Sequence, residues 1–391
     1  MERHYGMDWL RIGAFALLIL YHVGMVFVPW GFHVKTAAPA DWVAVPMLFT
    51  NAWRLMLLFL VSGFASRTLL AKSNGVRGFL RNRNARLLIP LVFGMAVIVP
   101  PQSWVELVTQ HGYAHDLGWF FAHDYFRFGA LDGIIMPTWN HLWFVVYLWA
   151  YTLVLCVLLM LPRPERLQAW FDRAFGGGGA LWIPLAYLLL FQVVLFRRGE
   201  ETHDLVRDGV AHLAYFPAFL FGFGLAGSRR TMAALAHGWP LAALLALAGY
   251  AVVAGIEIRW PGDTVAPRSV GYIFRTAREV QTWASIAALI GLAERYLNRD
   301  NNWRATLTEA VFPFYIIHQT VIVLVQYALL PYGLHPAIEF AILVAATVAG
   351  CWLFYLAGRE ISWLRPLIGL RPRLAARNRS AREAAPTLGV P

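Results

Sequence analysis

Apolar runs of about twenty residues recur along the whole chain, and no other feature of the sequence constrains its fold so strongly. A helix of that length crosses the roughly 30 Å hydrocarbon core of a bilayer. In lipid every backbone N–H and C=O must be satisfied internally, which leaves only helices or a closed barrel. The runs are continuous and lack the ~10-residue alternating segments of a transmembrane barrel. Hydrophobic residues make up 59% of the chain and charged ones 14%, unlike a soluble enzyme. The expected fold is an all-α, polytopic transmembrane helical bundle. About ten spans are expected, at 8–28, 46–70, 87–108, 139–161, 181–196, 211–227, 239–258, 276–297, 308–330 and 336–358. No repeat and no Gly/Ser linker divides the chain. Residues 1–360 read as one integral-membrane domain and 361–391 as a basic cytoplasmic tail.

The net charge of +11 does not call for nucleic acid, because the arginines sit between the apolar runs. Basic residues gather in 71–86, 162–180, 228–238 and the segment after 358, and they alternate with poorer loops at 29–45, 109–138 and 331–335. By the positive-inside rule, ten spans then place both termini in the cytoplasm. The segment 197–210 fits less well, because Arg197, Arg198 and Arg207 fall on the outer side. The long outer segment 109–138 holds His111, His115, Asp116, His123, Asp124 and Asp132 and reads as an interfacial cap. Its spacings match no metal-ligand pattern, and no metal is expected. Cys156 and Cys351 both lie in apolar runs, so no structural disulfide is expected. The first apolar run also lacks a signal-peptide cleavage site.

Ionisable groups inside a span are costly and point to function. The stretch MDWLRIGAFALLILYHVGMVF (7–27) carries Asp8, Arg11 and His22. Eleven residues at 100° each nearly close three turns, so Arg11 and His22 share one helix face, ~16 Å apart. A neutral imidazole can take a proton from an alcohol and pass it to a leaving group. The competing account is that Arg11 snorkels to headgroups and His22 bonds a neighbouring helix.

Four further groups stand beside that face. In FLVSGF (59–64), Ser62 and Gly63 lie mid-span, and Gly63 permits close backbone approach by a helix or a ligand. In RNRNARLLIP (81–90), Arg83 and Arg86 are i,i+3 neighbours that can grip a phosphate or anchor in lipid headgroups. In WNHLWFVVYLW (139–149), His141 is expected near the level of His22. Trp143 there suits either an aromatic belt or a sugar ring. In FPFYIIHQTVI (312–322), Pro313 is expected to kink the helix, and Tyr315 and His318 share a face. Glu279 is expected in the outer half of its span, paired with Arg275 or Arg278. Arg54 is expected in the outer half of the second span, where a salt bridge or a snorkelling anchor would account for it.

These features, taken in order, resemble the acyltransferase-3 family of integral-membrane acyltransferases. Arg11 and His22 reproduce its R-x10-H pattern in the first span. SGF (62–64), Arg83 and Arg86 before LLIP, HLWFV (141–145) and FYIIHQ (314–319) follow in sequence. WGFHVK (30–35) and YFPAFLFGFGL (215–225) look most like the periplasmic glucan succinyltransferases within it. The resemblance implies a bacterial inner-membrane O-acyltransferase. It would move an acetyl or succinyl group from cytoplasmic acyl-CoA to a hydroxyl of an extracytoplasmic glycan. It implies His22 as general base or acyl carrier, with Arg11 and Asp8 as its catalytic companions. Arg83 and Arg86 would hold the donor, while Ser62, Gly63, His141, Trp143, Tyr315, His318 and Glu279 would line the substrates' path. Implied partners are the glycan acceptor, membrane lipids and glycan-synthesis proteins. The alternatives are a proton-coupled glycan or small-molecule transporter, or a non-catalytic partner in glycan synthesis.

Overall fold

The computed structural model describes residues 4–161, 164–195 and 201–372. Arg163, Arg197, Arg198 and the arginines from 373 onward, which enter the charge pattern above, lie outside the described residues.

The protein is an all-α helical bundle with one small hairpin. Its first helices are α1 (Tyr5–Gly24), α2 (Ala44–Asn51), α3 (Arg54–Ala71), α4 (Gly75–Phe93) and α5 (Pro100–His111). A short α6 (Leu117–Trp119) sits in the segment 109–138, followed by α7 (Trp143–Leu158), α8 (Pro164–Phe175), α9 (Gly179–Leu188) and α10 (Gly209–Leu225). The chain continues through α11 (Arg229–Arg259), α12 (Arg268–Tyr296), α13 (Asn302–Leu329), α14 (Pro336–Glu360) and α15 (Leu364–Leu367). A π-helical turn, Gly94–Ile98, joins α4 to α5, so both fall in one bent span.

Each of the ten expected spans overlaps a helix, but by length and hydropathy only seven helical stretches among the described residues suffice to cross a membrane. The other three have separate physical reasons. The stretch Glu165–Phe175 plus Gly179–Leu195 is bent by 93° at its break. Helix α10 is apolar but has only 17 residues. Helix α12 is 29 residues long, but Arg268, Arg275, Arg278 and Glu279 lower its hydropathy.

Contacts fix the relative directions of the helices. Phe59 stacks on Tyr215 at 4.8 Å, and further along both helices Arg67 lies over Phe223, so α3 and α10 run parallel. In α4 and α7, Arg83 meets Thr152 and Asn84 meets Trp149, while Gly94 just past α4 approaches Leu142, so they run antiparallel. Helices α11 and α12 are also antiparallel, with Gly249 against Ala277 and Gly291 against Leu235. Without a hydrophobic drive between helices in lipid, close backbone packing is what joins them. A Cβ on Gly63 would stand 1.9 Å from the Phe219 carbonyl oxygen, and one on Gly222 would stand 1.9 Å from that of Leu60. Leu244 on α11 is 65% exposed and Leu353 on α14 is 68% exposed; such outward faces are apolar because hydrocarbon covers them.

The segment 109–138 folds into a cap around Leu107, Phe120, Tyr125 and Met136. Its hairpin pairs β1 (Gly129–Leu131) with β2 (Ile134–Met136) in antiparallel register, Ala130 opposite Ile135. Asp132 and Gly133 turn it, with φ of 48° and 85°, the positive pair that a tight hairpin needs.

The residues just after α14 do not hang free. Arg365 donates to the carbonyls of Arg371 and Arg359, each at 2.7 Å, and to Glu309 at 3.2 Å. Ile368 and Leu370 are buried with Ala310 and Tyr355. Of the tail expected at 361–391, residues 361–372 therefore pack on the bundle.

Candidate active site

The site is built on one pair of helices. Asp8 accepts from Arg304 at 2.7 Å, Arg11 donates to the Thr308 carbonyl at 3.4 Å, and His22 meets His318 at 3.1 Å. The sequence separations stay at 296, 297 and 296, so α1 and α13 run parallel and in step. Arginine and histidine thus mark opposite ends of one helix pair, ~16 Å apart. Between them Phe15 packs edge-on against Tyr315 at 5.5 Å and against Phe144 at 6.3 Å.

At the histidine end, hydrogen bonding assigns the tautomers. Nδ1 of His318 lies 2.7 Å from the Tyr315 carbonyl oxygen. A carbonyl only accepts, so this nitrogen carries the proton and Nε2 of His318 keeps its lone pair. That lone pair faces Nδ1 of His22 at 3.1 Å, so His22 donates there. In the neutral ring the basic nitrogen of His22 is then Nε2, which no described residue hydrogen-bonds. His318 is fully buried, whereas His22 is only half-buried. One imidazole is a fixed support and the other presents a free base, the arrangement of a base with its orienting partner.

His141, at the entrance to α7, lies 5.2 Å from His318, ring to ring. Its Nε2 donates to the Ile316 carbonyl at 3.0 Å, and the hydroxyl of Tyr315 donates to the carbonyl of His141. Nδ1 of His141 is then an acceptor and faces the amide of Gln102 at 3.4 Å. Gln102 also donates to Thr320 at 2.7 Å and accepts from Gln319 at 3.1 Å and from Asn140 at 3.2 Å. Gln319 donates to Nε2 of His33 at 2.8 Å, and Nδ1 of His33 donates to Glu106 at 2.5 Å. His33, Glu106, Gln102, Asn140, Gln319 and Thr320 have no place in the expected site. His33 and Gln319 do sit inside the quoted WGFHVK and FYIIHQT stretches. Gln102, in VPPQSW, had one available signal: a glutamine in an apolar run must find hydrogen bonds.

At the arginine end the polar groups are less satisfied. Arg83 donates through Nε to Thr152 at 3.3 Å, while its Nη2, Arg11 Nε and the hydroxyl of Thr308 are buried without a partner. Arg86 lies within electrostatic reach of Arg11 and Arg371. Asp8 belongs to this end, bound to Arg304, and stands ~21 Å from His22 along the helix.

The remaining expected residues are placed as follows. Trp143 is buried, with one face stacked on His203 at 4.1 Å. Gly63 presses on α10, and Ser62 beside it is half-buried. Arg278 donates to Asn51 and lies within electrostatic reach of Glu279, although no direct salt bridge joins Glu279 to Arg275 or Arg278 among the described residues. Arg54 is 4% exposed and lies 3.5 Å over the ring of Tyr21, the residue before His22; its Nε and Nη1 are buried without partners. Among the described residues no group of three or more His, Cys, Asp or Glu could hold a metal ion.

Residues 4–356 match the acyltransferase domain of the acyltransferase-3 family. The chain belongs to that family. It is similar to the glucans biosynthesis protein C of Salmonella schwarzengrund (strain CVM19633), 25% identical over 152 residues. The Shigella boydii serotype 4 (strain Sb227) protein of the same name is 26% identical over 156 residues. These alignments span 39% and 40% of this chain and 38% of each relative. No solved structure matches.

Proposed function

We propose that the protein transfers an acyl group from acyl-CoA on the cytoplasmic side to a hydroxyl of an extracytoplasmic glycan, at the bacterial inner membrane. The observation that carries this reading is the His22–His318 pair, which leaves His22 Nε2 as an unpartnered base. Nε2 takes the proton of the acceptor hydroxyl as its oxygen attacks the thioester carbonyl. The C–S bond breaks, and the thiolate leaves with the proton that His22 held. In the acyl-carrier variant Nε2 attacks first and the hydroxyl displaces it second. Arg83, Arg86 and Arg11 bind the donor's phosphates, and a flexible arm in coenzyme A separates these from the thioester. His141 supports the histidine end, and the cap over 109–138 borders the acceptor side with Trp143 and Glu279.

The parallel runs of α1 with α13 and of α3 with α10 are consistent with ten crossings, since each pair is then separated by an even number of crossings, and the basic segments 71–86 and 228–238 support cytoplasmic termini. The name of the relatives supports a glucan acceptor, with glycan-synthesis proteins as partners. Acetyl and succinyl are the two candidate groups. Arg54, stacked on Tyr21 but with Nε and Nη1 unpartnered, supports succinyl, whose distal carboxylate it would hold.

The test is thiol release by purified protein given acetyl-CoA or succinyl-CoA, with His22→Ala alongside. Release or a donor-dependent adduct that the mutant loses is expected. Release at the wild-type rate in the mutant overturns the role of His22. Glycan flux into proteoliposomes without any donor would favour the transporter.

A further inference from the structure

We propose that Arg371, carried by the segment after α14, completes an anion site with Arg11, Arg83 and Arg86 and binds the phosphate groups of the donor. The inference rests on the acyl-CoA reading above and adds an element that neither the spans nor the family match, which ends at residue 356, contains.

Three observations meet here. The first is anchorage. The segment is pinned by Arg365, itself only 8% exposed, through its bonds to the carbonyls of Arg359 and Arg371 and to Glu309. Gly369 adopts φ +80°, and a Cβ there would stand 2.3 Å from the ring of Phe312. The backbone that carries Arg371 is thus fixed against α13, and α15 packs on α4, the helix of Arg83 and Arg86. The second is charge. Arg371 and Arg11 both act electrostatically on Arg86, and Arg86 in turn acts on Arg83. Asp8 is within reach of Arg11 but its hydrogen bond goes to Arg304, and Glu309 is engaged with Arg365 and Tyr355. Guanidinium groups from α1, α4 and the last segment therefore lie within electrostatic reach of one another, with Asp8, shared with Arg304, the carboxylate that acts on Arg11. The third is the set of buried unpartnered atoms at the same end, Arg11 Nε, Arg83 Nη2 and the hydroxyl of Thr308. Buried donors without partners are costly, and converging arginines recognise phosphate through several oxygens at once. Arg371 is exposed, so it serves as the outer arm of the site.

The experiment uses the full chain in phosphatidylcholine nanodiscs and measures the KM for acetyl-CoA and for succinyl-CoA, whichever the wild type turns over. Arg371→Gln is compared with Arg371→Lys and with Arg359→Gln, a nearby removal of the same charge. Arg371→Gln is expected to raise KM about fivefold, the scale of an exposed charge contact, with a smaller change in kcat. Arg371→Lys should restore most of it, Arg359→Gln should leave KM near wild type, and high salt should shrink the difference. An unchanged KM in Arg371→Gln overturns the proposal, as does an equal rise in Arg359→Gln. Wild type that neither binds nor turns over acetyl-CoA or succinyl-CoA sinks the donor reading instead. Inorganic pyrophosphate then decides the anion site: stabilisation of wild type but not of Arg371→Gln keeps it, and equal response removes it. An effect of Arg371→Gln seen only in nanodiscs containing phosphatidylglycerol assigns the site to a lipid headgroup and overturns the donor role.

Discussion

The two ends of the α1–α13 pair are built on opposite plans. At the histidine end, His318, His141, Gln102, Gln319 and His33 form a chain in which each ring nitrogen or amide has a partner of the right kind. Among the ring nitrogens of His22, His33, His141 and His318, Nε2 of His22 is the one left over; beside it Arg54 keeps two buried atoms without partners. At the arginine end Arg11, Arg83 and Thr308 each bury an atom without a partner. Fixed dipoles suit a step whose geometry must be set before the substrate arrives. Unpaired cations suit a place that a charged ligand completes. The same helices carry both plans, one for chemistry and one for holding.

Mutations should separate the two ends. The largest effect is expected from His22→Ala, a loss of about 10³-fold in acyl transfer with the fold retained. His318→Ala should cost about 10²-fold, mostly in kcat, because the His22 ring loses the partner that sets its tautomer. A His318→Ala enzyme with normal kcat would break the proposed division of labour. Arg83→Met should act in the other direction, raising donor KM by about tenfold with kcat nearly kept. A fall in kcat with KM unchanged would place Arg83 in the chemistry. Away from both ends, Gly222→Ala should lower stability by roughly 1–3 kcal/mol, because its methyl would collide with the Leu60 carbonyl. Thermal unfolding in detergent would read it.

The smallest effect tests the outer side. Lys35 donates to the carbonyls of Met25 and Val28, each at 2.6 Å, just past the end of α1. Burial of the ammonium lowers its pKa to about 8. An unfolded lysine keeps its proton to about 10.4, so between these values the unfolded chain binds more protons. Stability should therefore rise with pH across that window and gain nothing from this group below it. An impermeant amine reagent applied from the periplasmic side should label Lys35 with an inflection near pH 8 and spare Lys72. Labelling of Lys72 instead would invert the proposed topology.

Much of the scaffold was legible in the sequence, because a lipid-exposed helix must be apolar over its whole length. The exceptions are instructive. Helix α12 carries Arg275, Arg278 and Glu279, and its packing against α11 compensates for what hydropathy lacks. The shared face of Arg11 and His22 followed from helical geometry alone. Their partners did not, since Thr308 and His318 lie 297 and 296 residues away. Asp8 reads as a companion of His22 when only α1 is considered, whereas in the fold Arg304 takes it. Gln102 and Glu106 lay unsuspected in α5, because a polar residue in a span shows its purpose only through what it touches.

By itself the sequence determined that the chain is helical, that it lives in a membrane, and that arginine and histidine stand at opposite ends of one face of α1. Periodicity and hydropathy are local properties, and local properties can be read along a chain. Only the tertiary structure decided which nitrogen of His22 is basic, since that depends on a carbonyl of Tyr315 acting through His318. It also decided that residues 361–372 pack on the bundle, through bonds that join Arg365 to Glu309. Hydrogen bonds between distant segments set protonation and charge convergence, and no window of the sequence contains both partners.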